Sequence, residues 1–298
     1  MPATTAGFAA LLDANVYEIY VDTRAEVPPQ APLIFNMPPL VRQNLQFQEY
    51  AGLGQMPAKP EGTQFVLDRP VVGGTKTYTA NSFGLAFEVT FEMWSDDLFG
   101  LIGEMPAEMA RSSRNRFEID AATILNDAFD TNVNGFDATS LCSTTHTNAS
   151  GTTYSNRPAV DIGLSQTGIQ DGILNFATIL NGRDLPMLMS PSMVVIHPSN
   201  INVARELFAS AGKPLTANNE LNSILEDELR YISYRYLTTS TNWFLMAAKG
   251  QHDLNFFWRE QPIFDSFDDP RTKNAVFTNY QRHTQGFGTP RGIYGSTG

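Results

Sequence analysis

The segment from Asp96 to Phe129, DDLFGLIGEMPAEMARSSRNRFEIDAATILNDAF, constrains this chain more than any other. Met109, Phe117, Ala121, Ile124 and Ala128 recur at helical spacing and mark a core face. Glu104, Glu108, Arg111, Asn115 and Glu118 mark an opposite, polar face, on which Arg114 and Glu118 are spaced to pair at the surface. Ser95, Asp96 and Asp97 supply cap-type residues, and Pro106 implies a kink or a fresh start. A helix of roughly thirty residues spans about 45 Å. That is long for one domain of a 298-residue chain, so the element reads as a strut on which the rest is hung.

What precedes the strut looks incomplete by itself. In VVGGTKTYTANS, Val71 to Ser82, the Gly73-Gly74 pair divides two β-branched runs, a hairpin signal. Its second arm offers only Tyr78 as a large apolar group, and a lone two-stranded ribbon is marginal in water. Upstream, PPQAPLIFNMPP places five prolines between Pro28 and Pro39, which excludes a persistent helix or a central strand. This stretch reads as an extended arm with Leu33, Ile34 and Phe35 as apolar anchors; an ordinary surface loop packed on its own domain is the alternative. Residues 6 to 26 read as a helix through Phe8, Leu11, Leu12, Val16 and Ile19. LAFEVTFEM alternates, with Leu85, Phe87, Val89, Phe91 and Met93 on one face of a half-buried strand.

Beyond the strut, residues 130 to 160 read as a loop rich in Asn, Thr, Ser and Gly. A helix follows over Leu164 to Leu180, then a short buried strand in SMVVIHP and a helix capped by Ser199 that closes near Gly212. Strands are expected at 230–238, 243–248, 254–260 and 275–283, and the tail GFGTPRGIYGSTG reads as flexible. Helices and strands without regular βαβ alternation make the fold class α+β.

Chemistry finds little footing. No GxSxG elbow occurs. In SAGKPLT the residue five before Gly212 is Leu207, and Pro214 stands where a phosphate loop needs Ser or Thr. GFGTPRG has no helix to follow it, which excludes a dinucleotide site. His146, His197, His252 and His283 are far apart, without metal-ligand spacing. Cys142 and His146 are four apart in a Thr/Ser loop and read as a buried thiol and a hydrogen-bonded imidazole. Asp265, Asp268 and Asp269 beside Arg271 and Lys273 read as a solvated turn or an intersubunit charge contact. No cofactor or metal is expected. A formal charge of −11 argues against tight binding to a phosphate backbone. With one cysteine, no basic residue before Arg24 and no apolar run near the roughly 20 residues of a membrane helix, a soluble intracellular protein is expected, with no membrane partner.

The order of arm, ribbon, long helix and mixed body resembles the major capsid proteins of tailed phages with the HK97-type fold, and more narrowly the Mu-like major head subunits. EYAGLGQMPAKPEG, FGLAFEVTFEMWSDD, SLCSTTH, LPMLMSPSMVVIHPSNINVARELFAS, NNELNSI and NWFLMA carry the resemblance over nearly the whole chain. It implies an N-terminal arm over 1–50, an extended loop (E-loop) over 51–93 with its tip between Pro60 and Lys76, and a spine helix over 96–129. It further implies a peripheral domain from 94–158 and 254–298, and an axial domain over 159–253. The loop residues implied to touch a neighbouring subunit are Lys59, Thr63, Phe65, Val71, Gly73, Gly74, Lys76 and Tyr78. The arm anchors are Leu33, Ile34 and Phe35, and the spine core face is Met109, Phe117 and Ile124. No Lys–Asn pair is identified for a covalent weld, so Lys59 and Lys76 receive no such role.

The function implied is a self-assembling shell of hexamers and pentamers enclosing double-stranded DNA without sequence-specific binding. It would be located in the virion capsid, assembled in the host cytoplasm, and served by portal, scaffolding or cement proteins. With no scaffolding-like segment ahead of Phe8, scaffolding is expected from a separate chain or from a piece already removed. The rivals are an encapsulin-like nanocompartment shell and an enzyme with a non-local active site.

Overall fold

NWFLMA, Asn242–Ala247, is apolar at every position but the first, and a strand of that kind is buried on both faces. In the computed structural model it is β8, which lies between β11 (Ile293–Thr297) and β6 (Pro191–Ile196) in a four-stranded sheet ordered β11-β8-β6-β7, with β7 at Arg230–Ser233. The structure describes residues 5–90, 92, 93, 96, 101–210, 224, 228–269, 272 and 274–298, with side chains from residue 15 except at 101, 102, 268 and 269. Several sequence expectations fall elsewhere. Phe91, Ser95, Asp97, Gly212, Lys213, the 218–223 stretch, Arg271 and Lys273 lie outside the described residues, as do the side chains of Phe8, Leu11, Leu12, Asp268 and Asp269.

In this sheet β6 (Pro191–Ile196) runs antiparallel to β8 and parallel to β7 (Arg230–Ser233). Trp243, Leu245 and Ala247 face α4 (Gln166–Thr178) and α5 (Ile201–Ala209). The Ser165 side chain caps α4 by accepting from the Gly168 N–H at 3.2 Å. Ser199 does not cap α5. It sits inside a 3₁₀ turn, Pro198–Asn200, whose start is capped by His197, and Asn200 takes the position before α5. The expected strand over 230–238 stops at Ser233.

Phe244 and Met246 face the other way, onto α3 (Leu101–Asn126), a helix of 26 residues that spans about 39 Å. Phe117, Ile124, Ala121 and Ala128 pack there, and Met109 is buried further along, so the expected core face is the observed one. Pro106 lies within the helix, two positions after the acidic first turn at Glu104. The expected polar face needs one correction: Glu118 is fully buried rather than paired with Arg114 at the surface. Its carboxylate accepts from the N–H groups of Gln30 and Ala31 and from the Tyr234 hydroxyl.

A three-stranded antiparallel sheet ordered β3-β10-β9 carries the other half of the molecule. Its strands are β3 (Asn81–Val89), β9 (Leu254–Asp269) and β10 (Asn274–Phe287). Phe87 stacks on Phe277, and Tyr20 of α1 (Thr5–Glu26) stacks on Phe264. Leu85, expected on the buried face of β3, is half exposed at the sheet's edge.

The tail is the largest departure from expectation. Ile293–Thr297 is β11, paired with β8 and buried through Ser296. The last residues thus join the sheet of β6, β7 and β8 rather than pairing with β9 and β10. Glycine-rich composition here reflects close packing, since Gly295 lies against Cys142 Sγ and the Phe244 ring.

The arm also folds back on its own molecule. Pro32 sits in the first turn of a single helical turn, α2 (Ala31–Ile34), where its missing N–H costs nothing. Ile34 and Phe35 enter the core beside α3 and Tyr234, while Leu33 stays exposed. Asn36 and Pro39 then bridge to Asn255 and Trp258, laying the arm along β9.

Candidate assembly surface

Gly73 and Gly74 do not turn the chain. They lie inside β2 (Val72–Thr79), which pairs antiparallel with β1 (Asn44–Tyr50) through partners from Asn44–Thr79 to Tyr50–Val72. The glycines are explained by close approach: a Cβ on Gly74 would collide with the Phe136 carbonyl, and one on Gly73 with the Glu49 side chain. The ribbon therefore begins at residue 44, upstream of the expected boundary at 51. Residues 81–89, expected within the E-loop, pair with β10 in the three-stranded sheet.

The foot of the ribbon rests on its own chain, not on a neighbour. Tyr78 is buried with Leu40, Ala80 and Phe257, and its ring lies 4.8 Å from that of Phe257. Burial, with Asp253 nearby, pushes the Tyr78 hydroxyl's pKa upward. Lys76 donates to the Asn134 carbonyl oxygen at 2.8 Å and to its Oδ1 at 2.7 Å, and burial lowers the amine's pKa. Of the eight residues expected to touch a neighbour, Gly73, Gly74, Lys76 and Tyr78 are thus engaged internally. Val71 closes the loop by accepting the Ala51 N–H at 2.9 Å.

Lys59, Thr63 and Phe65 stand apart from the body, on the irregular segment 52–71 between the two strands. Lys59 lies over the Phe65 ring, 4.9 Å from its centroid. Three neighbours that sequence reasoning passed over share this exposure. Leu67 is 93% exposed, Met56 90%, Phe65 81% and Val66 70%. An apolar run so open in water needs a partner surface. The signal was present as FVL between polar neighbours, but three residues are too few for a periodicity to register.

A groove runs beside the free edge of β3, between that strand and α3. One part, of about 360 Å³, is lined by Ser82, Phe83, Leu85, Met109 and Arg116, and its neighbour by Phe87, Met105, Glu104 and Glu108.

Three of the groups considered for chemistry, Cys142, His146 and His283, are buried among their neighbours. Cys142 is fully buried, and burial pushes its thiol pKa upward. His146 is equally buried, with Nδ1 at 2.6 Å from Asp137 Oδ2 and Nε2 at 3.0 Å from Asn156 Oδ1. His283 Nε2 meets Asp120 at 2.7 Å. Among the described residues no group of three or more His, Cys, Asp or Glu side chains could hold a metal ion, and no helix is long and apolar enough to cross a membrane.

Comparison with known proteins agrees with this geometry. The chain resembles the procapsid subunit of bacteriophage JBD30, with 16% identity over 99% of this chain and 76% of that one, at a TM-score of 0.55. It resembles the capsid of cyanophage P-SCSP1u, with 9% identity over 91% and 88% of the two chains, at 0.58. A virus-like particle from Pyrococcus furiosus matches with 8% identity over 95% and 98%, at 0.52. These likenesses establish the fold, which is the HK97-like capsid fold. Among curated protein sequences none matches. A family profile described as phage capsid protein matches residues 74–296, three quarters of the sequence, and the chain belongs to that phage capsid protein family.

Proposed function

We propose that this capsid protein is the major head subunit of a tailed phage of the Mu-like group, closing as hexamers and pentamers into an icosahedral shell around double-stranded DNA. The observation that carries the reading is the 52–71 loop, which holds Met56, Phe65, Val66 and Leu67 in water on a ribbon anchored at its foot. A neighbouring copy supplies the missing cover. The groove along β3 suits it: Leu85, Phe87 and Met105 offer apolar surface, and Glu104 and Glu108 complement Lys59 and Arg69 of the loop. In this reading α3 with β3, β9 and β10 forms the peripheral domain, and β6 to β8 with α4 and α5 the axial one. Portal, scaffolding and cement proteins act as partners, assembly occurs in the host cytoplasm, and the subunit performs no catalysis. A wall of formal charge −11 per chain does not adhere to packed DNA.

Replacing residues 55–67 with a short Gly-Ser linker tests this. The variant should melt like the parent, because it keeps β1, β2 and Tyr78, yet form no particles in electron micrographs. Normal shells from it would refute the loop's role. A second reading is a nanocompartment that holds protein cargo, since a virus-like particle from Pyrococcus furiosus shares the fold. Nuclease-protected DNA inside particles from infected cells selects the head; its absence, with protein cargo present, selects the compartment.

A further inference from the structure

Among the described residues, a single side-chain hydrogen-bonding contact ties the 52–70 loop to the rest of the chain. Arg183 Nη2 meets both carboxylate oxygens of Asp68, each at 3.0 Å. Both ends of this contact are built to hold it. On the loop side, Asp68 Oδ2 also accepts the Gly54 N–H at 2.6 Å, so one carboxylate closes the loop across its base. That hydrogen bond, with Arg69 and Arg183 adding to it, holds the Asp68 carboxyl below the ordinary Asp range, and the group is anionic at neutral pH.

On the body side, Arg183 projects from a tight turn fixed at three points. Asn181 Oδ1 accepts the N–H groups of Arg183 at 2.8 Å and Leu185 at 3.0 Å. Asp184, at a left-handed φ of 61°, is held by the Ser150 and Thr152 hydroxyls, each at 2.9 Å, and by the Asn148 amide at 3.1 Å. Gly182 packs so closely on Ala51 that a Cβ would lie 2.7 Å from that residue's Cβ. The turn therefore grips the loop where it leaves β1 and again at Asp68.

We propose that Asp68 and Arg183 form a releasable strap that holds the 52–70 loop in one pose in the free subunit and presents Phe65, Val66 and Leu67 to a second copy of this chain. The presenting role rests on the shell reading above. The strap leaves these apolar side chains uncovered, so it does not hide them; it removes loop entropy before docking, which lowers the ordering cost of association. An exposed ion pair is weak and salt-sensitive, as a releasable tie must be.

The test is the rate at which chymotrypsin cuts the unassembled chain after Phe65 and Leu67. Arg183→Ala and Asp68→Ala should each be cut about two- to fivefold faster than the parent, the range that an exposed pair supports. The parent should approach the same rate in roughly 0.5 M salt. The charge-swapped double variant, Asp68→Arg with Arg183→Asp, should be cut more slowly than either single variant. Cutting of Arg183→Ala at the parental rate overturns the strap, whatever the particles do. In a parallel assembly assay Arg183→Ala should raise the subunit concentration needed for half-assembly severalfold. An unchanged threshold beside faster cutting overturns the presenting role. If even the parent forms no particles while cleavage shifts as stated, the shell reading falls and the strap stands.

Discussion

The Glu118 carboxylate accepts the Tyr234 hydroxyl at 3.0 Å, joining the middle of the long helix to the end of a strand 116 residues away. The same carboxylate accepts the N–H of Gln30 at 2.5 Å and of Ala31 at 3.1 Å, so it also caps the one-turn helix of the arm. Burial holds its carboxyl above the ordinary Glu range. Glu118→Ala should lower unfolding stability by about 2–4 kcal/mol, because buried donors lose their acceptor, and denaturant unfolding measures it. The sign with pH follows from the raised pKa. Above 4.5 the folded chain keeps a proton that the unfolded chain releases, so this group's contribution to stability falls as pH rises. Glu118→Gln should remove that slope, and a parent-minus-variant comparison across pH reads it.

The Phe117 ring packs against those of Phe256 at 4.8 Å and Trp258 at 5.1 Å, which also touch each other. Phe117→Ala should cost about 3–5 kcal/mol of stability, by lost transfer energy and the cavity left behind. An unchanged melting temperature would place the helix face wrongly.

Gly74→Ala should be costlier than a β-strand Gly→Ala change in the open. The added methyl meets the backbone oxygen of Phe136, which cannot rotate away as a side chain does. A loss of about 1–3 kcal/mol is expected, with faster proteolysis of the ribbon; a stabilised variant would show that the approach is looser.

His252 is buried, and burial together with Lys249 depresses its pKa from 6.5 to about 4. The unfolded chain takes up the proton near pH 6.5 and the folded chain only near 4. Stability should therefore fall as pH drops through that window, by up to about 3 kcal/mol. His252→Gln should flatten this part of the pH profile in chemical denaturation, and a parental slope in the variant would assign it to other groups.

Legibility followed the range of the forces involved. The core face of α3 could be read because a helical repeat is local and only one secondary structure buries it well, whereas NWFLMA is a continuous apolar run whose two-sided burial only the sheet reveals. The Gly73-Gly74 pair was misread because the same dipeptide serves a tight turn and a close backbone approach, and only the carbonyl of Phe136 distinguishes them. Glu118 looked like a surface charge, since its spacing from Arg114 fits a helix pair; the arm and Tyr234, distant in sequence, enclose it. The tail looked flexible because Gly295 is small, and it is small because Cys142 and Phe244 need the space.

The order of residues alone determined that this chain contains a long amphipathic strut, a proline-rich arm and a short buried strand, because periodicity and backbone restriction act within a few residues. Tertiary structure decided that Ile34 and Phe35 of the arm and the foot of the ribbon are satisfied within the subunit, while Met56, Phe65, Val66 and Leu67 between its strands stay exposed. Burial depends on which distant surfaces meet, and no local pattern carries that information.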